Sequence, residues 1–295
     1  MNRKKETAIG VDLGGTQVTA GRVRAGLLEQ LVKRSVPAHE NKDVVLGVVM
    51  DTIAEVMTPE VAAIGCGVPS VVDVAEGIVR EVGNIPSWKA VSLKAALEHR
   101  FNLSTAIDND ANAFALGELI FGVGRGRRHL VGMTLGTGLG TGVVINGRLL
   151  HGANCGIGEL GKTARKGLML QDWCASPYFT REWGADAEDL HRRARKREEE
   201  ALRAFDAYGE EFSAAIALAL YAYDPEIIVL GGSISTAFDL FEGGMRRGLE
   251  AFAYPHIIER VTIVPSELEH AAVFGAAALS VEASPALPPA PTTSW

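Results

Sequence analysis

Three short stretches of this 295-residue chain combine acidic residues and glycine in patterns that can hold a phosphate chain and move a proton. The first, IGVDLGGTQVTAGRV (residues 9–23), sets Asp12 beside Gly14, Gly15 and Thr16 in an otherwise apolar, β-branched run. A turn without side chains lets main-chain N–H groups approach an anion, with Asp12 holding a hydrated cation beside it. The same residues equally make an ordinary two-glycine hairpin turn between strands at 8–12 and 16–23. The second stretch, LGTGLGTGVVINGRLLHG (135–152), repeats the device with Gly136, Thr137, Gly138 and Gly140. The third, NDANAFALGE (109–118), puts Asn109 and Asp110 at a strand-to-helix turn. A carboxylate there can accept a proton from an alcohol or cap the helix, and Asp108 competes for either role.

The elements that must position these residues alternate in type. DVVLGVVMDTIAEVMT (43–58) has helical apolar spacing behind an Asp43 cap, VAAIGCGVPSVVD (61–73) is a buried-type strand running into a Gly-Pro turn, and SLKAALEHRFN (92–102) is a second helix. Residues 103–122 read as a strand, an acidic turn and a helix. Strands alternating with helices imply an α/β domain. The second glycine turn opens another unit: strand, turn, strand, an Asn146-Gly147 turn and a third strand. A charged helical run from Asp186 follows, with the character of a solvated face, then a buried strand ending in Gly231-Gly232 and a helix to about residue 253. The proline-rich end, SPALPPAPTTSW, reads as a tail. Two units that each begin with a bare hairpin turn suggest a duplication in which the turns face each other across a cleft, which suits a chain of phosphates.

Composition narrows the partners. Thirty-six acidic residues against 29 basic ones give a net charge of -7, which argues against a nucleic-acid or anionic-membrane partner held by bulk electrostatics. A polyanionic ligand must then be held by local groups and a cation. Three scattered cysteines (Cys66, Cys155, Cys174) do not make a disulfide framework and fit a reducing cytoplasm. MNRKKETAIG lacks the apolar core of a signal peptide, and no 18-residue apolar run occurs.

Taken together, DLGGT (12–16), NDANAFALGE, LGTGLGTGVVINGRLLHG, GELG (158–161) and IIVLGGSIS (227–235) resemble, in order and spacing from about residue 7 to 282, the ROK family of sugar kinases. The resemblance implies the actin-like, hexokinase-type (ribonuclease H-like) fold of two α/β domains around a nucleotide cleft. It implies a smaller domain over 1–117 completed by a C-terminal helix near 271–283, a larger one over 118–270, and the tail at 284–295. It also implies an ATP- and Mg2+-dependent hexose kinase, by default a glucokinase acting on the 6-hydroxyl, cytoplasmic and homodimeric. Asp110 becomes the general base, and Asp12 stands near Mg2+ through water. Gly14, Gly15, Thr16, Gly136, Thr137, Gly138 and Gly140 face the phosphates, and Gly231 and Gly232 the adenosine. Ser70, Asn84, Asn109 and Glu159 lie near the sugar.

The pattern breaks at GELGKTARKGLMLQDWCAS (158–176). The family carries here a histidine and three cysteines that bind a structural zinc. Lys162 takes the histidine's place, Leu170 that of the last ligand cysteine, and Asp172 that of a sugar-binding glutamate. A protonated ammonium is no zinc ligand, so no structural zinc is expected. Lys162 is expected to pair with Glu159 or Asp172, or to meet the sugar's 1- or 2-position. Gln17 replaces the lysine usual after GGT. An N-acylhexosamine, mannose or fructose as acceptor, polyphosphate as donor, and a non-catalytic sugar sensor remain the alternatives. The family's repressors carry an N-terminal helix-turn-helix; with the first hairpin starting near Ala8, none is expected here.

Overall fold

A computed structural model of the chain describes residues 7–69 and 71–282; Ser70 and the 284–295 tail lie outside the described residues. In the first unit, β1 (Thr7–Leu13) and β2 (Gln17–Arg24) are the expected hairpin, and β3 (Leu27–Ser35) extends it antiparallel. β3 is absent from the sequence reading because it is a half-exposed edge strand that alternates only weakly. α1 (Lys42–Glu55) is capped by Asn41, whose side-chain oxygen accepts from the N–H groups of Asp43 and Val44, so the cap expected at Asp43 lies two residues earlier. β4 (Val61–Val68) runs parallel to β1. A small antiparallel flap of β5 (Val72–Asp73), β6 (Ile78–Glu81) and β7 (Lys89–Ser92) leads to α2 (Leu93–Phe101), then to β8 (Ser104–Asn109), parallel to β4, and α3 (Asp110–Ile120). The sheet order is β3-β2-β1-β4-β8.

The second unit repeats this plan. β9 (Leu130–Leu135), β10 (Leu139–Ile145) and β11 (Arg148–Leu149) form an antiparallel meander whose second turn is Asn146-Gly147, both with positive φ. A 3-10 turn at Glu159–Lys162 and a hairpin of β12 (Ala164–Arg165) and β13 (Leu168–Met169) precede four helices: α4 (Leu170–Cys174), α5 (Pro177–Trp183), α6 (Ala187–Arg195) and α7 (Glu199–Tyr223). The charged run is therefore two helices, separated where Arg197 takes a left-handed φ of 66°. Its arginines pair on the surface, Arg193 with Glu198 and Glu200 at 2.5 Å. β14 (Ile227–Gly231), α8 (Phe238–Leu249), α9 (Pro255–Arg260), β15 (Thr262–Pro265) and α10 (Ala271–Glu282) complete the chain. The order is β11-β10-β9-β14-β15, with β14 parallel to both neighbours, so β9, β14 and β15 stand where β1, β4 and β8 stand in the first sheet.

Each unit has its own core. Val, Ile and Leu side chains with Trp88 fill the first, and Phe179, Phe205, Tyr208, Phe212 and Phe241 dominate the second. Two helices join them: α3 packs on β9 and β10, and α10 packs on β1, β4, β8 and α3. The division expected at 117/118 thus falls inside α3, a helix that both units touch. A duplicated five-strand sheet with two shared helices is the actin-like, hexokinase-type α/β fold. Among the described residues no helix is long and apolar enough to cross a membrane.

Candidate active site

Strand register assembles the acidic end of the site. Parallel pairing puts Asp12, Gly67 and Asp108 in one row across β1, β4 and β8, at the strands' carboxyl ends. Asn109 caps α3, its side-chain oxygen accepting from Ala111 N–H (2.8 Å) and Asn112 N–H (3.3 Å). Asp110 is the first helical residue, and its Oδ1 also accepts from Ala111 N–H at 2.8 Å. The cap weighed for Asp110 therefore belongs to Asn109. Asp108 is buried and engaged at both oxygens: Oδ1 accepts from Asn109 N–H (2.7 Å) and Asn112 Nδ2 (2.9 Å), and Oδ2 lies 2.7 Å from His151 Nε2. The pairing of His151 with Asp108 did not figure in the sequence reading, which weighed His151 only beside Cys155 as a substitute zinc ligand, because the two residues lie 43 positions apart in different units.

The electrostatics single out two carboxyls. Burial pushes Asp12 up to about 6 against a weak opposing pull from Lys33, and burial followed by the charge of Asp12 pushes Asp110 up to about 7. Glu159 adds a smaller push on Asp110 from the second unit. Its 3-10 turn is seated by Gly158, whose φ of +93° and position 2.0 Å (as an added Cβ) from the Thr141 carbonyl oxygen admit glycine alone. A base that takes a proton near neutrality sets an acid limb in the free enzyme's rate. We therefore expect kcat/KM to fall as pH drops below about 7, and the Asp12→Asn variant, which removes the neighbouring charge, to move that limb to lower pH in a pH–rate profile. An unmoved limb would mean that Asp12 does not act on the titrating group.

The two glycine turns follow β1 and β9, one in each unit. In the first, Gly14 N–H donates to the Gln17 carbonyl (2.8 Å), and in the second Gly136 N–H donates to the Gly138 carbonyl (3.1 Å), so these two N–H groups close the turns instead of facing an anion. A Cβ on Gly136 would meet nothing within 4 Å, and one on Gly138 only Gln171 Oε1 at 3.4 Å. Thr16 and Thr137 are exposed at the tips. Room beside bare backbone, next to the raised carboxyl of Asp12, suits a phosphate chain carrying a hydrated cation. Asn84 lies directly on the first turn, 2.6 Å from where a Cβ of Gly15 would stand. In the second sheet Gly140, Thr134 and Gly231 form a row matching that of Asp12, with Gly232 (φ +83°) just beyond β14.

The 158–176 segment departs from expectation in its pairing. Lys162 Nζ donates to Gln171 Oε1 at 3.3 Å in place of the expected Glu159 or Asp172. Asp172, the third residue of α4, is engaged locally, accepting at 2.9 Å from the N–H of Met169 at the N-cap position. Cys66 and Cys174 are buried in the two cores, and among the described residues no three His, Cys, Asp or Glu side chains gather as metal ligands.

The chain matches the ROK family over residues 8–180 and 167–283. It is 35% identical to the glucokinase of Thermotoga maritima over 308 residues, 93% of this chain and 97% of that protein. It is 29% identical to an N-acetyl-D-glucosamine kinase of Pectobacterium atrosepticum over 79% of this chain and 86% of that protein. A solved ROK family glucokinase from Streptomyces griseus, in complex with glucose and AMPPNP, superposes with a TM-score of 0.80 at 25% identity, covering 92% of this chain and 98% of the other. With the family model matched across nearly its whole length and a relative 35% identical over 93% of it, the chain belongs to the ROK family and is a sugar kinase.

Proposed function

We infer that this kinase transfers the γ-phosphoryl group of ATP to the 6-hydroxyl of a hexose, with glucose the favoured acceptor and Asp110 the general base. The carrying observation is the carboxyl of Asp110, raised to about 7 at the head of α3 and close enough to feel both Asp12 and Glu159. Phosphoryl transfer passes through a loose transition state, so the protein's work is to position, to neutralise and to exclude water. A carboxylate near its usual value of about 4 is a weak partner for an alcohol, whereas one near 7 accepts the proton more readily as the new bond forms. Mg2+, held through water by Asp12, would neutralise charge on the phosphate oxygens. Gly15, Thr16, Thr137 and Gly138 would line the phosphates, and Gly231 and Gly232 the adenosine. Asn84, Asn109 and Glu159 would approach the sugar hydroxyls, and Ser70 joins them as a proposal from sequence alone.

Glucose is favoured over an N-acylhexosamine because of the glucokinase relatives, although N-acetylglucosamine kinases stand close behind. The test is sugar-dependent ADP formation across glucose, mannose, fructose and N-acetylglucosamine, with ATP or polyphosphate as donor and with Mg2+ or EDTA present. Glucose should give the highest kcat/KM, with ATP and Mg2+ required. Sugar binding without any ADP release would replace the kinase by a sensor.

Lys162 offers a separate measurement. Its partner Gln171 lies beside Gly138, so the ammonium belongs to the phosphate end more than to the sugar's 1- or 2-position. An exposed charge contact is worth about 0.2–1 kcal/mol, up to about fivefold in affinity. Lys162→Ala should raise the ATP KM by about twofold to fivefold and leave the sugar KM in place. A change confined to the sugar KM would return Lys162 to the acceptor side.

A further inference from the structure

The bond between Asp108 and His151 joins the two units at the place where Asp110 is presented. Asp108 is the penultimate residue of β8 in the first sheet, and His151 follows β11 at the edge of the second. The His151 segment is tied down locally, Leu150 N–H donating to the Val143 carbonyl (2.9 Å) and Ile157 N–H to the His151 carbonyl (3.3 Å). The Asp108 side chain is 3% exposed and that of His151 30%. A carboxylate buried this far is tolerated only when its oxygens are met by donors. The imidazole meets Oδ2; the Asn109 N–H and the Asn112 amide meet Oδ1. Asn109 in turn caps α3, and Asp110 is its next residue. A continuous set of contacts therefore runs from His151 through Asp108 and Asn109 to the first turn of the helix that carries Asp110.

We propose that His151 is a positioning residue: by bonding Asp108 from the opposite unit, it sets the β8–α3 turn and so the direction in which Asp110 meets the acceptor hydroxyl. The inference rests on the reading of Asp110 as the base. Its role is distinct from holding α3 as a whole, because α3 also packs directly on β10, where an added Cβ on Gly142 would stand 2.2 Å from the Ala111 carbonyl oxygen. Losing His151 should therefore loosen the turn's aim and leave the helix in place.

The test compares His151→Ala, His151→Gln and the double variant His151→Ala/Asp110→Asn with the wild type. Misplacing a reacting group by about 1 Å can cost about 100-fold, so His151→Ala should lower kcat by about tenfold to 100-fold with both KM values within about threefold. The Gln amide nitrogen reaches the place of Nε2, so His151→Gln should regain most of the loss, and added imidazole should partly rescue the alanine variant. In the Asp110→Asn background His151→Ala should cost little more, because the group it aims has gone. Wild-type kcat in His151→Ala, a change confined to the sugar KM, failure of Gln to restore turnover, or a fully multiplicative double variant would each overturn the positioning role. A wild type that forms no ADP with any sugar would overturn the kinase reading and this inference together.

Discussion

Asp110→Asn should lower kcat by about 100-fold to 10,000-fold while the sugar's affinity stays nearly unchanged. The amide keeps the carboxyl's shape and can still accept from Ala111 N–H, as Oδ1 does now at 2.8 Å, so α3 and its cap at Asn109 remain formed. What it cannot do is take the hydroxyl proton. The same substitution has a second signature, of opposite sign, in stability. Asp110 and Asp12 have folded values of about 7 and 6 against about 3.8 in an unfolded chain. The folded state then binds protons more tightly than the unfolded one, and the contribution of these groups to stability is greatest below about pH 4 and declines as pH rises towards 7. Asp110→Asn removes one such group. Its unfolding midpoint should exceed that of the wild type at pH 8 and converge with it near pH 4, measured by thermal melts without nucleotide or Mg2+. Near-normal turnover would remove Asp110 from the chemistry, and a destabilised variant at pH 8 would contradict the burial of an ionised pair.

The contrast between catalytic loss and gain in stability follows from features that were unevenly visible in the sequence. Both glycine hairpins could be read because their signals are local: Gly14-Gly15 and Asn146-Gly147 sit between β-branched runs, and hairpin turns depend on few residues. The repetition of the turn pointed to a duplicated fold, and the two sheets do share one strand order. Other features were hidden for physical reasons. β3 is an edge strand with mixed burial, so its pattern has no clear period. The cap of α1 moved to Asn41 because two donors, the N–H groups of Asp43 and Val44, are reached from that position. Asp172 was expected as a sugar ligand by its place in the segment; its carboxylate also closes the first turn of α4, a local role that the sequence reading did not give it. The Asp108–His151 bond depends on how the two units meet, which no local pattern encodes. The raised value of Asp12 comes from burial, and that of Asp110 from burial and then the charge of Asp12, which reaches it from a separate strand.

The deepest of these hidden features is the seat of α10, and the Gly275→Ala variant measures it. AAVFGAAALSVE has almost no amphipathic stripe because the helix is covered on two sides. One side lies on the first sheet, where a Cβ on Gly65 would stand 1.7 Å from the Ala276 carbonyl oxygen and one on Gly10 would stand 1.9 Å from that of Val273. The other lies on α3, where a Cβ on Gly275 would stand 1.7 Å from the Ala113 carbonyl oxygen and 2.7 Å from Gly117 N. These are backbone contacts, so no side chain can swing aside and the helices themselves must part. Overpacking of a core usually costs about 1–3 kcal/mol, and backbone-on-backbone collision belongs at or above the top of that range. In a chain of 295 residues about 3 kcal/mol lowers the unfolding midpoint by roughly 5 °C. Because α3 carries Asp110 at its first position, kcat should fall as well, before the protein unfolds. Gly47→Ala is the matched control: it lies in α1 with nothing within 4 Å of an added Cβ, and alanine there should be neutral or stabilising by about 0.5–1 kcal/mol. If Gly275→Ala melted within about 2 °C of the wild type and kept its kcat, α10 would be free to shift, and the close seat that couples the first sheet to the helix bearing Asp110 would be refuted.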